Sequence, residues 1–206
     1  MKHALAPSLL LPLALTLSLV LGAAGTSIAA TPASPALKAG VFSPARVAPE
    51  IALRGTDGSE FSMSKYRGKV VVLEFGYTAC ADVCPVSLAM LAEAKKRLGA
   101  DGANLQVVFV TVDPERDSAV HLKRYMAAFD PSFIGITGSA AEMAAVQKAY
   151  GITVTKKMVE GAKGAYSMHH SSYLYFIDRK GMLRALMPFG RPAAEVVHDV
   201  KLLLKQ

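Results

Sequence analysis

The chain is short of cysteine, short of charge and free of repeats, and each shortage excludes something. Only two cysteines occur in 206 residues, so at most one internal bridge can form, and a core of this length does not depend on it. Charged residues make up 19% of the chain, 23 basic against 16 acidic, for a net charge of +7. No basic run is longer than pairs such as Lys95-Lys96 and Lys156-Lys157, which excludes the clustered footprint of a nucleic-acid binder. The basic balance reads instead as solubility, or mild attraction to acidic partners and anionic membrane surfaces. No internal repeat is found, and the length suits one globular domain behind an address segment.

That address is marked by another absence, since no formal charge lies between Lys2 and Lys38. Lys2 and His3 make a short basic start, residues 9–21 are apolar apart from Pro12, Thr16 and Ser18, and Ser27-Ile28-Ala29 offers a small-residue cleavage site. Residues 1–29 are therefore expected to be a signal peptide or a retained membrane anchor; residues 4–24 are long enough to span a bilayer. Either form places the domain outside the cytoplasm, in the periplasm or anchored to the outer face of the inner membrane. No cysteine follows the apolar run, so no lipoprotein attachment site is read. Residues 30–46, rich in Pro, Ala and Ser, read as a linker, and 47–206 as the domain.

Within the domain the pattern is α/β. Residues 51–53 and 60–62 flank the turn Thr56-Asp57-Gly58 and predict an opening hairpin. Residues 69–75 are a nearly continuous β-branched run, the pattern of a central strand covered on both faces. Further strands are predicted at 105–112, 133–136, 172–177 and 182–187. Helices are predicted from Pro85 to Gly99 and at 118–129, 140–150 and 193–204. A mostly parallel sheet follows from this alternation. Residues 152–167 are polar and contain glycines, and read as a surface excursion or inserted hairpin.

Both cysteines lie in one stretch, Cys80-Ala81-Asp82-Val83-Cys84-Pro85, directly after the predicted central strand. Pro85 suits the first turn of a helix, so Cys84 falls at a helix N-terminus, where the partial positive charge favours thiolate. Positions four apart on a helical turn share a face and come within disulfide range. A structural bridge, a redox pair and a metal clip all remain open on geometry. The three-residue spacing, against the two residues of thioredoxin-type redox motifs, lets two sulfurs spread towards one soft ion. Two thiolates suit Cu(I), and an added imidazole also accepts Cu(II).

Five histidines are available. His3 lies in the address segment, His121 on a predicted helix in a polar setting, and His198 in the last predicted helix. The pair His169-His170, at the start of the strand predicted at 172–177, is the candidate source of an imidazole. Met158 and Met168 are nearby soft donors, a residue type more often used as filler.

Gly76-Tyr77-Thr78, Cys80 to Pro85, Val112-Asp113-Pro114-Glu115-Arg116-Asp117, and a histidine before Ser171 and a tyrosine-rich strand together resemble the Sco/SenC family. The resemblance covers about 47–206. It implies a thioredoxin-like fold, with a central mixed sheet flanked by helices, an N-terminal hairpin and an inserted hairpin before the C-terminal strands. It implies copper, Cu(I) or Cu(II), held by Cys80, Cys84 and His170. The implied work is delivery of copper to the dinuclear copper centre of cytochrome c oxidase, with the copper-bearing oxidase subunit, other copper chaperones or thioredoxin-like reductants as partners. His169 stands where the family commonly has Asp, which makes it either a substitute ligand or a neighbour of the site. Asp82 and Asp113 are expected to orient the site or contact a partner, or simply to cap local turns. The alternative is a thiol-disulfide oxidoreductase using Cys80 and Cys84 as its redox pair, which reduces cysteines of the oxidase copper site or of other exported proteins.

Overall fold

The structure is a computed structural model that describes residues 36–206, so the expected signal or anchor at 1–29 and the first residues of the linker lie outside the described residues. In chain order the strands are β1 (Gly40–Val47), β2 (Ala52–Arg54), β3 (Glu60–Ser62), β4 (Val70–Gly76), β5 (Leu105–Thr111), β6 (Ile134–Ile136), β7 (Val154–Met158), β8 (Tyr166–His170), β9 (Tyr173–Ile177) and β10 (Met182–Pro188). The helices are α1 (Val83–Arg97), α2 (Ala119–Ala127), α3 (Ala140–Tyr150) and α4 (Ala193–Leu204).

The central sheet runs β1-β10-β9-β4-β5-β6. Its parallel pairings are β4 with β5 and β5 with β6; β9 with β4, β10 with β9 and β1 with β10 are antiparallel. The sheet is therefore mixed rather than mostly parallel, because the turn Asp178-Arg179-Lys180-Gly181 folds β10 directly back on β9. Every residue of β4 and β5 is buried, as a strand covered on both faces requires. Val70 and Val72 point to the core shared with Leu88 and Leu91 of α1 and Val196 and Val200 of α4. Val71, Leu73 and Phe75 point to the opposite core with Met143, Val146 and Tyr150 of α3.

The helix ends carry local signals. Ser139 and Glu142 form a reciprocal capping box at the start of α3, and Gly151 ends it in the left-handed region at φ 69°, where only glycine is free of a Cβ penalty. Ser118 caps α2 by accepting from the His121 N–H.

Two boundaries differ from expectation. Residues 40–47, all but the last within the stretch read as linker, form the edge strand β1, and Ala39 ahead of it is buried. Its residues show no two-residue burial alternation, and its register shifts between Val41 and Arg46, so no strand pattern was there to read. What fixes the start of the strand is a side chain far along the chain. Buried Asp199 of α4 accepts from the Lys38 N–H at 2.7 Å and the Ala39 N–H at 2.9 Å. The inserted hairpin expected from the polar residues 152–167 is present as β7 with β8, in a sheet of its own, but it runs on further and places His169 and His170 at the end of β8 rather than at the start of β9.

Candidate metal centre

The site grows from the end of β4. Gly76 closes the strand where a side chain has no room: an added Cβ would lie 2.7 Å from the Phe109 ring and 2.8 Å from Cys84 Sγ. The chain then turns through Tyr77 to Cys80, with the Cys80 N–H donating to the Tyr77 carbonyl at 3.2 Å. Asp82 is exposed and precedes α1 without making a side-chain cap bond, so its capping role is not realised. In its place Cys80 Sγ accepts from the backbone N–H of Cys84 at 3.5 Å.

Both cysteines are free thiols, Cys80 partly exposed and Cys84 buried. Their environments drive them apart. A hydrogen bond from the Cys84 thiol, helped by the backbone amides of Cys84 and Asp82 and by His170, lowers Cys80 to about 5. Cys84, which gives that hydrogen bond and is desolvated by burial, is pushed far up. One sulfur is thus ready as thiolate and the other is held as thiol.

His170 arrives from β8. Strand alternation puts it on the opposite face from His169, which is exposed while His170 is half-buried. The His170 ring meets the Tyr77 ring edge-on, with centroids 6.2 Å apart at 83°. Its Nδ1 donates to the Ser171 carbonyl at 3.0 Å, which leaves the Nε2 lone pair free. Among the described residues, no three His, Cys, Asp or Glu side chains stand close enough to hold a metal ion as they are. Binding through all three therefore requires His170 to close on the thiols.

The remaining candidates fall around this centre. Asp113, 2% exposed, pairs with Arg116 and accepts from the Tyr166 hydroxyl at 2.9 Å, so it is tied into a network on the β8 side rather than left to cap a turn. His121 lies near the cysteine loop, with Nε2 at 3.0 Å from Thr78 Oγ1. His198 is away from it, paired with Asp199. Met158 is exposed and Met168 packs against the core.

Two residues that sequence reasoning passed over belong here. Asp117, fully buried, accepts from the Thr78 N–H at 3.1 Å, Thr78 Oγ1 at 2.5 Å and Thr111 Oγ1 at 2.5 Å, and so pins the cysteine loop two residues before Cys80. Glu74 is the one acidic residue in the β4 run. It is 4% exposed, its Oε2 has no partner, and it lines a water-sized cavity of about 10 Å³ with Ser87 and His170. Burial raises its carboxyl well above the usual range by disfavouring the charged form. A carboxyl interrupting an apolar strand was the available signal for it.

Comparison with known proteins places these features in a family context. Residues 42–205 match the family model described as SCO1/SenC. An SCO2-like protein of Rickettsia conorii is 33% identical over 125 residues, and the match spans 61% of each chain, short of two thirds of that relative's length. The structure of Bradyrhizobium japonicum ScoI with copper bound superposes with a TM-score of 0.70 at 32% identity, covering 76% of this chain and 99% of that one. Apo Sco1 from Thermus thermophilus superposes with a TM-score of 0.73 at 32% identity, covering 83% and 99%. The fold shared with these structures is thioredoxin-like.

Proposed function

This chain belongs to the SCO1/SenC family, and we propose that it binds copper through Cys80, Cys84 and His170 and passes it to the copper-bearing subunit of cytochrome c oxidase, outside the cytoplasm. Copper is the cargo in this reading. One observation carries it: the Cys80 and Cys84 thiols lie at the N-terminus of α1 and the His170 imidazole, with Nε2 free, is directed to the same end of the sheet across Tyr77. Two thiolates and an imidazole suit Cu(I) and accept Cu(II). Three donors leave the coordination open, so an incoming partner thiolate or imidazole can replace them one at a time. Cys80 is available as thiolate at neutral pH, whereas Cys84 gives up its proton as the metal arrives. His169, exposed on the far face of β8, is not in the ligand set.

Copper titration of the reduced protein, with Cu(II) absorption as the readout, tests the assignment. Replacing His170 by Ala weakens Cu(II) binding strongly and Cu(I) binding less. An unchanged Cu(II) affinity and spectrum in that variant removes His170 from the site.

The second reading, a thiol-disulfide oxidoreductase, is favoured by the split between the thiols. Cys80 thiolate attacks a partner disulfide to form a mixed disulfide, and Cys84, losing its proton, attacks Cys80 Sγ. The partner leaves as dithiol and this chain as the Cys80–Cys84 disulfide. Such chemistry has no use for an imidazole. Peptide-disulfide reduction that is undiminished in His170→Ala, together with full support of oxidase assembly by that variant, favours this reading over copper transfer.

A further inference from the structure

The segment Asp113-Pro114-Glu115-Arg116-Asp117 supplies no ligand in this reading, yet its side chains reach both halves of the proposed centre. We infer that it is the bracket that holds the cysteine half and the histidine half together, with Arg116 as the positioning residue for His170. The inference rests on the ligand assignment proposed above.

The cysteine half is held by Asp117, through Thr78 and Thr111. The histidine half needs holding more. The hairpin of β7 and β8 shares no strand ladder with the central sheet, and a two-stranded hairpin alone is marginal in water. Its attachment to the segment 113–117 is made by side chains. Arg116 Nη1 donates to the Tyr166 carbonyl at 3.1 Å, and the guanidinium lies 3.8 Å from the Tyr166 ring centroid. Arg116 Nε pairs with Asp113, which also accepts from the Tyr166 hydroxyl. Lys156 of β7 pairs with Glu115 at 2.7 Å.

Tyr166 precedes His170 by four residues on one strand, so both project from the same face of β8. The Arg116 guanidinium also lies 5.5 Å from the Tyr77 ring, and Tyr77 is the ring that meets His170. Arg116 thus fixes β8 at its start through Tyr166 and supports the aromatic ring that the histidine packs on. A planar fork that can stack on two rings while donating sideways is a property of arginine that lysine lacks.

The test is a double-mutant cycle on Cu(II) affinity in the reduced full chain, comparing the parent, Arg116→Met, His170→Ala and the double variant, with the Cu(II) absorption spectrum recorded for each. Arg116→Met weakens Cu(II) binding by about 10-fold or more, the scale typical of lost support behind a metal ligand, and shifts the spectrum. In the His170→Ala background the same substitution changes nothing, because the group it positions is gone. Arg116→Lys restores little of the loss, and it carries the same cycle should Arg116→Met fail to fold. An Arg116 effect of equal size in both backgrounds, or no effect in the parent, overturns the inference while leaving His170 a ligand. A His170→Ala variant that binds Cu(II) like the parent overturns the ligand assignment and this inference with it.

Discussion

Cys84 donates its backbone N–H to Sγ of Cys80, at 3.5 Å, so the first thiol of the pair occupies the place of a helix cap for the second. Asp82, adjacent to the helix and chemically suited to the task, does not take it. An anionic sulfur is stabilised by the helix terminus in this position, and the same contact makes the two thiols chemically unequal.

That inequality sets the first expected outcome. Cys80, lowered to about 5, is thiolate across the neutral range and loses that charge only as pH falls through about 5. Cys84 is shifted the other way. Alkylation with iodoacetamide, resolved by peptide mass spectrometry, should modify Cys80 at a nearly constant rate from pH 6.5 to 8.5 and decline below pH 6, while Cys84 lags throughout. Equal rates at the two positions contradict the assigned asymmetry.

Oxidation of the pair supplies the second. Removal of two electrons and one proton converts the Cys80 thiolate and the Cys84 thiol to a disulfide, which is not a ligand. Copper bound by the reduced protein should be absent from protein oxidised before titration and return after reduction. Retention of copper by the fully oxidised protein places the metal elsewhere.

Glu74 gives a stability prediction with a sign. Its carboxyl is raised in the folded state, so the unfolded chain ionises first, and the folded state loses relative stability as pH rises above the ordinary glutamate range. Glu74→Gln removes that dependence. The variant should gain on the parent by about 1–3 kcal/mol at pH 7, the scale of a poorly compensated buried polar group, with the gain shrinking towards pH 4.5. Urea unfolding at the two pH values measures it, and a pH-independent difference would show that the Glu74 carboxyl is not raised in the folded state.

Gly76→Ala tests the close approach of strand and helix. The added methyl meets Phe109 and Cys84 Sγ inside van der Waals contact, which should cost about 1–3 kcal/mol of unfolding free energy as overpacking does. It should also speed alkylation of Cys84, since α1 must move off the strand. An unfolding midpoint equal to the parent's shows that the contact is not as tight as described.

Much of the architecture was legible in the sequence because it obeys simple periodicities. The runs of β4 and β5 announce two-sided burial, and Pro85 announces the start of α1. The helix over 140–150 was legible from its pattern, although its capping box passed unremarked. The edge strand β1 escaped because an exposed edge needs no apolar alternation; it is held by Asp199, about 160 residues away. The site divided in the same manner. Cys80, Cys84 and the His169-His170 pair stand out as residue types, and the inserted hairpin was legible too, but not that it extends through both histidines and leaves His169 exposed and His170 half-buried. Glu74 and Asp117 were passed over because their meaning comes from burial and from partners distant in the chain. Arg116 was visible within a motif, without any sign that it stacks on Tyr166.

Copper titration of the reduced full chain, followed by Cu(II) absorption and paramagnetic resonance, tests whether Cys80, Cys84 and His170 together hold copper. The prediction is one copper per chain with thiolate and imidazole ligation, lost on Cys80→Ser or Cys84→Ser and deprived of its imidazole signature on His170→Ala. A His170→Ala protein with the parent's affinity and spectrum, or a double cysteine variant that still binds one copper, would contradict it.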